Sequence, residues 1–262
     1  MLSSLIYIKS FSSLIEQFPR SRRNYLPPNT TCFDLVVFGS NLSSTVGYPR
    51  YTRIVRYMSA LSYNLKPILV GLLLSDGWLW RKNNNVVLFG FKQSMPNFKY
   101  LWFIFTCFSH YCSSVPCLTK ARLKSKVHFG AQFATRAYPF LTRWYEMFYP
   151  NGIKVVPLEL YYLLDYEALA HWFMGDGTFN KKGLVLQVQS FTVKEAVFLI
   201  SLLIYKFDLV CSLTMQRGQP TIYISVDSMR KLQPHILPYM HPSMLYKLYD
   251  FNSDTRRVKS NY

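Results

Sequence analysis

Two carboxylates stand in matched surroundings. Leu69-Val70-Gly71-Leu72-Leu73-Leu74-Ser75-Asp76-Gly77 aligns with Leu169-Ala170-His171-Trp172-Phe173-Met174-Gly175-Asp176-Gly177 at an offset of 100 residues, so an apolar helix-like run ends in Asp-Gly twice. A carboxylate in the last turn of a helix faces the negative end of the macrodipole, at a cost of some tenths of a kcal/mol to about 1 kcal/mol, and something must offset it. Asp76 is the only acid between Asp34 and Glu146, so the pair is not drawn from a generally acidic surface. With the two helices side by side about a pseudo-twofold axis, both carboxylates and the helix-end carbonyls converge at one end of the contact, where a divalent cation would satisfy all of them. The chemistry to expect there is that of a bound metal ion.

The elements that must position these groups are legible as a repeat. Pro67 suits the first residue of a helix, and Ile68 to Leu74 is apolar almost all round, which predicts burial on more than one side. Gly71 with Ser75, and Ala168 with Gly175, give the small stripe that two closely approaching backbones need. After each motif come an apolar strand-like run (Val86 to Leu88; Leu184 to Leu186), a Gln-Ser pair (Gln93-Ser94; Gln189-Ser190) and a helix-like stretch (Phe98 to Phe108; Ala196 to Phe207). The expected organisation is an N-terminal extension over 1–50, a first repeat over 51–150, and a second repeat with its tail over 151–262. The fold class is α+β.

Within the strands the period is two. From Arg122 to Arg136 the even positions carry Arg122, Lys124, Lys126, His128, Gln132 and Arg136, and the odd ones Leu123, Val127, Phe129, Ala131 and Phe133, which predicts one basic face and one core face. The second half repeats this with Gln187 and Gln189, with Thr214 and Gln216, and with Thr221, Tyr223 and Ser225 alternating against apolar neighbours. A twisted antiparallel sheet with such a face can lie in the major groove of DNA and read base edges. Arg81 and Lys92 join the expected nucleic-acid-binding set.

Composition agrees. Thirty Lys and Arg against 13 Asp and Glu give a formal charge of +17, a field that draws in a polyanion and holds it by counterion release. The basic residues are spread from Arg20 to Lys259 rather than gathered on one amphipathic helix, which favours nucleic acid over an anionic membrane surface. No apolar run approaches the ~20 residues of a membrane-spanning helix. Five cysteines (Cys32, Cys107, Cys112, Cys117, Cys211) lack the spacing of a disulfide framework or a zinc knuckle, even with His110 among them, and read as buried thiols. Leu2 to Phe18 reads either as a mitochondrial presequence or as part of a fused extension ending near Pro27-Pro28-Asn29.

The two nonapeptides resemble the paired motifs of the LAGLIDADG homing endonucleases, in the double-motif branch encoded by mitochondrial introns. The resemblance covers roughly residues 40 to 250, including Gly39-Ser40-Asn41, Gln189-Ser190-Phe191-Thr192 and Met244-Leu245-Tyr246-Lys247-Leu248. It implies two α-β-β-α-β-β-α repeats whose sheets form a DNA-binding saddle, and a monomer that hydrolyses both strands of a double-stranded target with Mg²⁺ or Mn²⁺. By the same resemblance Asp76 and Asp176 are metal ligands, the carbonyls of Ser75 and Gly175 are further ligands, and Lys154, Lys247, Gln93 and Gln189 assist catalysis. His171 stands where the motif has glycine, and is expected to loosen the helix contact. The same fold also serves RNA maturases that assist group I intron splicing, which is the competing reading.

Overall fold

The computed structural model describes residues 44–83, 86–123, 126–180 and 183–248. The expectations for the N-terminal segment, for Cys32 and Gly39-Ser40-Asn41, and for Lys124 fall outside those residues. A short helix α1 (Arg53–Met58), capped by the Thr52 hydroxyl accepting from the Val55 N–H, precedes the first repeat. The repeat then runs α2 (Leu65–Leu74), β1 (Gly77–Asn83), β2 (Val86–Ser94), α3 (Phe98–Phe108), β3 (Cys117–Leu123), β4 (Lys126–Ala134) and α4 (Phe140–Phe148). After a single turn of helix, α5 (Leu160–Leu163), the order recurs as α6 (Tyr166–Asp176), β5 (Gly177–Asn180), β6 (Gly183–Gln187), α7 (Val193–Phe207), β7 (Cys211–Gln216), β8 (Gln219–Ser225) and α8 (Val226–Ile236). The expected α-β-β-α-β-β-α unit is therefore present twice. No helix among the described residues is long and apolar enough to cross a membrane.

Each half holds a four-stranded antiparallel sheet, β1-β2-β4-β3 in one and β5-β6-β8-β7 in the other. One face of the first sheet is closed by helices: Phe89, Phe91 and Phe133 are buried against Tyr100, Phe105 and Phe108 of α3. The other face is open. Because strand side chains alternate, Trp78, Trp80, Leu88, Lys92, His128 and Gln132 share it. Trp80 is 62% exposed there, and Trp78 lies over Gly90 so closely that a Cβ at that position would collide with the indole.

Three expected members of the basic face are elsewhere. Arg122 pairs with Val127, so it lies on the face opposite His128. The reason is the β3–β4 turn. Leu123 pairs with Lys126, so an odd-numbered position faces an even-numbered one and the alternation changes parity across the turn. Thr119 and Ala121 occupy the places that Arg122 and Lys124 were expected to fill. Arg81 shares the closed face with Leu79, pairing with Glu146 at 3.5 Å and lying 4.4 Å from the Tyr145 ring centre. Arg136 is spent inside the protein: its guanidinium donates to the Thr45 hydroxyl, to the carbonyls of Thr45, Cys112 and Tyr48, and covers the Tyr51 ring. In the second half, where each strand was read by itself, Gln187, Thr214, Gln216 and Tyr223 do share the open face. The β7–β8 connection there is a two-residue turn, with Arg217 and Gly218 both at positive φ.

The halves are joined through α2 and α6, whose residues are almost all buried. Gly71 makes the approach possible, because a Cβ there would strike the Ala168 carbonyl and come within 2.6 Å of the His171 Cβ. Gly175 sits against Ser75 in the same way. Pro67 is the third residue of α2 rather than the first, still within the turn whose N–H groups have no intrahelical acceptor. Cys112 is buried as expected, whereas Cys117 is exposed on the open face opposite Gln132.

Candidate active site

Asp76 follows the end of α2 and Asp176 is the last residue of α6, so the packing of those two helices decides where both carboxylates lie. They meet. A Cβ placed on Gly175 would stand 3.5 Å from Asp76 Oδ2, and the two aspartates act on each other electrostatically. Burial, and then the neighbouring Asp76 charge, push the Asp176 carboxyl up to about 7. Asp76 is also raised by burial, partly countered by the hydrogen bond from Gln93 and by the charges of Lys247 and Lys154. Two carboxylates whose ionisation is disfavoured where they lie together are a donor set that added positive charge would stabilise.

Two lysines flank the pair with the symmetry of the repeats. Lys154 Nζ donates to the Ser75 carbonyl at 2.8 Å and the Gly77 carbonyl at 3.2 Å, and Lys247 Nζ donates to the Gly175 carbonyl at 2.7 Å. Each lysine follows the last helix of one α-β-β-α-β-β-α unit and returns to the end of that unit's first helix. Lys154 is set by the chain after α4, where the Val155 N–H donates to the Phe148 carbonyl, and Lys247 by the closing turn Pro242–Lys247. Burial drives Lys154 down to about 8 against the raising influence of the two aspartates, and lowers Lys247 in the same way. The expected ligand carbonyls of Ser75 and Gly175 are thus already hydrogen-bonded to ammonium groups, though a carbonyl oxygen keeps a second lone pair.

The glutamines break the symmetry. Gln93, buried near the end of β2, donates through Nε2 to Asp76 Oδ2 at 2.6 Å, and its own Oε1 accepts from Asn97 at 3.0 Å. Gln189 lies past the end of β6 in an exposed turn and donates to Gln187 Oε1 at 3.0 Å. The cause is strand length: β2 has nine residues and β6 only five, so the second strand ends before its glutamine can point inward. Sequence similarity of Gln-Ser pairs did not carry this information.

His171 does not loosen the contact it was expected to disturb. It is 1% exposed, opposite Gly71, and its Nδ1 lies 2.8 Å from the Tyr100 hydroxyl, so the side chain that replaces the motif glycine is matched by a glycine and a tyrosine from the other half. Burial and nearby His241 hold it down to about 3, so the ring is neutral. Beside Asp76, a cavity of about 360 Å³ on the open face is lined by Lys92, Gln93, Thr119 and His128. Lys92 and His128 were expected on that face; Thr119 was missed, and strand parity read across the β3–β4 turn would have found it. Lys126 opens β4, Arg122, Arg81 and Arg136 lie as described above, and Lys124 is not among the described residues.

Comparison with known proteins agrees with this geometry. The model of the LAGLIDADG DNA endonuclease family matches residues 66–232. The "Intron-encoded endonuclease ai4" of Dictyostelium discoideum is 43% identical over 120 residues, 45% of this chain and 76% of that protein. The "Cytochrome b mRNA maturase bI2" of Saccharomyces cerevisiae is 32% identical over 72% of this chain but only 48% of its own length. Among solved structures, the homing endonuclease I-WcaI bound to its DNA recognition sequence superposes with a TM-score of 0.68 at 28% identity, covering 72% of this chain and 88% of that one. Paired Asp-Gly helix ends, two open antiparallel sheets and a family model spanning both repeats lead to one conclusion: the chain belongs to the LAGLIDADG DNA endonuclease family.

Proposed function

We propose that the chain is a site-specific homing endonuclease that hydrolyses both strands of a double-stranded DNA target with Mg²⁺ or Mn²⁺ at Asp76 and Asp176. The observation that carries this reading is the meeting of two carboxylates at the helix ends, both raised by partial desolvation and Asp176 further raised by the Asp76 charge. That donor set fits a divalent cation, because neutralising the pair removes the repulsion that the fold otherwise sustains. When bound, the metal supplies a water of lowered pKa and charge stabilisation for the leaving 3′-oxygen. The Ser75 and Gly175 carbonyls would add oxygen ligands through the lone pairs that Lys154 and Lys247 leave open.

The chain's own groups do the rest. Gln93 fixes the orientation of Asp76 through its 2.6 Å hydrogen bond. Lys154, brought down to about 8, and Lys247 sit where an ammonium neutralises the phosphate and hands a proton to the departing oxygen. Lys92, His128, Gln132, Gln187, Thr214, Gln216 and Tyr223 line the two open faces that would meet the duplex, Thr214 through a hydroxyl shared with Thr221 at 2.7 Å. One chain provides both aspartates, so a monomer suffices to cut both strands. A second reading, an RNA maturase acting on its own group I intron, is favoured by the maturase-named yeast relatives; those names also support a mitochondrial place of action.

The test is incubation of purified protein with intronless target DNA, with and without Mg²⁺, beside Asp76→Asn and Asp176→Asn. Metal-dependent double-strand cleavage by the parent, lost in both variants while DNA binding persists, is the expected result. Splicing assistance without cleavage transfers the assignment to the maturase.

A further inference from the structure

At the far end of the first sheet from Asp76 lies a second cavity, of about 540 Å³, whose lining includes Arg50, Arg56, Lys82, Arg136, Tyr48 and Tyr51 and, among the described residues, no carboxylate. Four cations around one hollow repel one another, and no carboxylate among the described lining residues neutralises them. Arg136 is committed to backbone carbonyls and to the Tyr51 ring, which fixes the segment carrying Tyr48 and Arg50 against the sheet. Arg56 Nε is shut away from solvent with no hydrogen-bond partner among the described residues, a donor left open to an added acceptor. Arg56 belongs to α1, a six-residue helix that buries none of its residues. So short a helix gains little from propensity, and here nothing from core packing.

We propose that this cavity is a phosphate clamp that grips the backbone of the DNA duplex outside the first half-site. The inference rests on the endonuclease reading for its choice of DNA. Leu88 and the β1–β2 tip place the hollow beside the open face that carries Lys92, so a duplex lying along the sheet runs into it. The distance is set by the strand. Lys82 lies six residues along the chain from Asp76, so at ~3.3 Å per residue it stands roughly 20 Å away. At about 3.4 Å per base step, the gripped phosphate falls about six pairs from the cut.

The test uses the full chain in EDTA and a duplex bearing the cleavage site recovered by selection from a randomised library. For Arg50→Ala with Arg56→Ala, the slope of log affinity against log salt becomes shallower by about 2, one for each lost phosphate contact. Arg50→Lys with Arg56→Lys retains most of the slope, and equal melting temperatures show that the fold is intact. Single methylphosphonates scanned along the duplex weaken parental binding about six pairs from the cut in the first half-site, and the alanine variant no longer senses them there. An unchanged slope, or equal sensitivity of variant and parent at every position, overturns the clamp. So does loss of intron RNA binding with DNA binding intact, which would make the cavity an RNA site. A chain that binds its duplex yet never cuts defeats the endonuclease reading while leaving the clamp standing.

Discussion

Asp176 and Lys154 show how a buried site holds charge that it would rather not have. With the Asp176 carboxyl raised from 3.8 to about 7, the folded state binds a proton that the unfolded state gives up. Its ionisation therefore costs stability, nothing below about pH 4 and the full amount above about pH 7. Asp176→Asn should raise the melting temperature of the metal-free protein by a few degrees at pH 8, with the gain shrinking toward zero as the pH falls to 4; a calorimetric pH series checks this. A divalent cation must displace the same proton, so its apparent affinity should rise with pH and level off above about 7, measurable by titration calorimetry in buffers of different ionisation enthalpy. At Lys247, whose ammonium holds the Gly175 carbonyl at the helix end, Lys247→Ala should slow the chemical step at least tenfold in single-turnover kinetics while binding changes less. Unchanged turnover with a large loss of affinity would assign that lysine to binding instead.

The α2–α6 contact is the element on which the site depends. Gly71→Ala introduces a methyl against the Ala168 carbonyl, a backbone atom that cannot step aside alone, so the helices must part. Overpacking of this kind costs about 1–3 kcal/mol, and the parting also moves Asp76 relative to Asp176. The expected outcome is a lower urea midpoint together with reduced cleavage. Tyr100→Phe acts on the same contact from α3, since it leaves the buried His171 Nδ1 without its 2.8 Å partner, at about 1–3 kcal/mol. The double variant Tyr100→Phe with His171→Gly should be less destabilised than the sum of the single changes, because the partner that was stranded is gone.

Over the whole molecule a +17 chain carries two unlike halves. The open face of the first sheet bears Lys92, His128 and two tryptophans, whereas the second bears amides and hydroxyls at Gln187, Thr214, Gln216 and Tyr223. The first half is suited to phosphate and stacking contacts, the second to base edges through neutral hydrogen bonds. Lys92→Ala should therefore weaken binding to all duplexes and make the salt slope shallower by about 1. Gln187→Ala should leave the slope unchanged and relax selectivity at one position of the second half-site, which a cleavage screen of single-base variants would detect.

The sequence alone determined the repeat, the strand and helix order, the two Asp-Gly helix ends and the small residues that let the helices meet, because each of these is written in local pattern and period. The family resemblance also singled out Lys154 and Lys247, and both reach the carbonyls at the ends of the two helices. Only the tertiary structure decided which way the β3 side chains face, since a turn of unknown length fixes the parity of a hairpin and sends Arg122 to the opposite side from His128. Tertiary structure likewise separated Gln93 from Gln189 by the length of one strand, turned Arg136 inward to hold the Thr45–Tyr51 segment, and seated His171 against a glycine a hundred positions earlier. Pattern along a chain records what each residue prefers; which residues meet depends on registers and helix approaches set by residues far away.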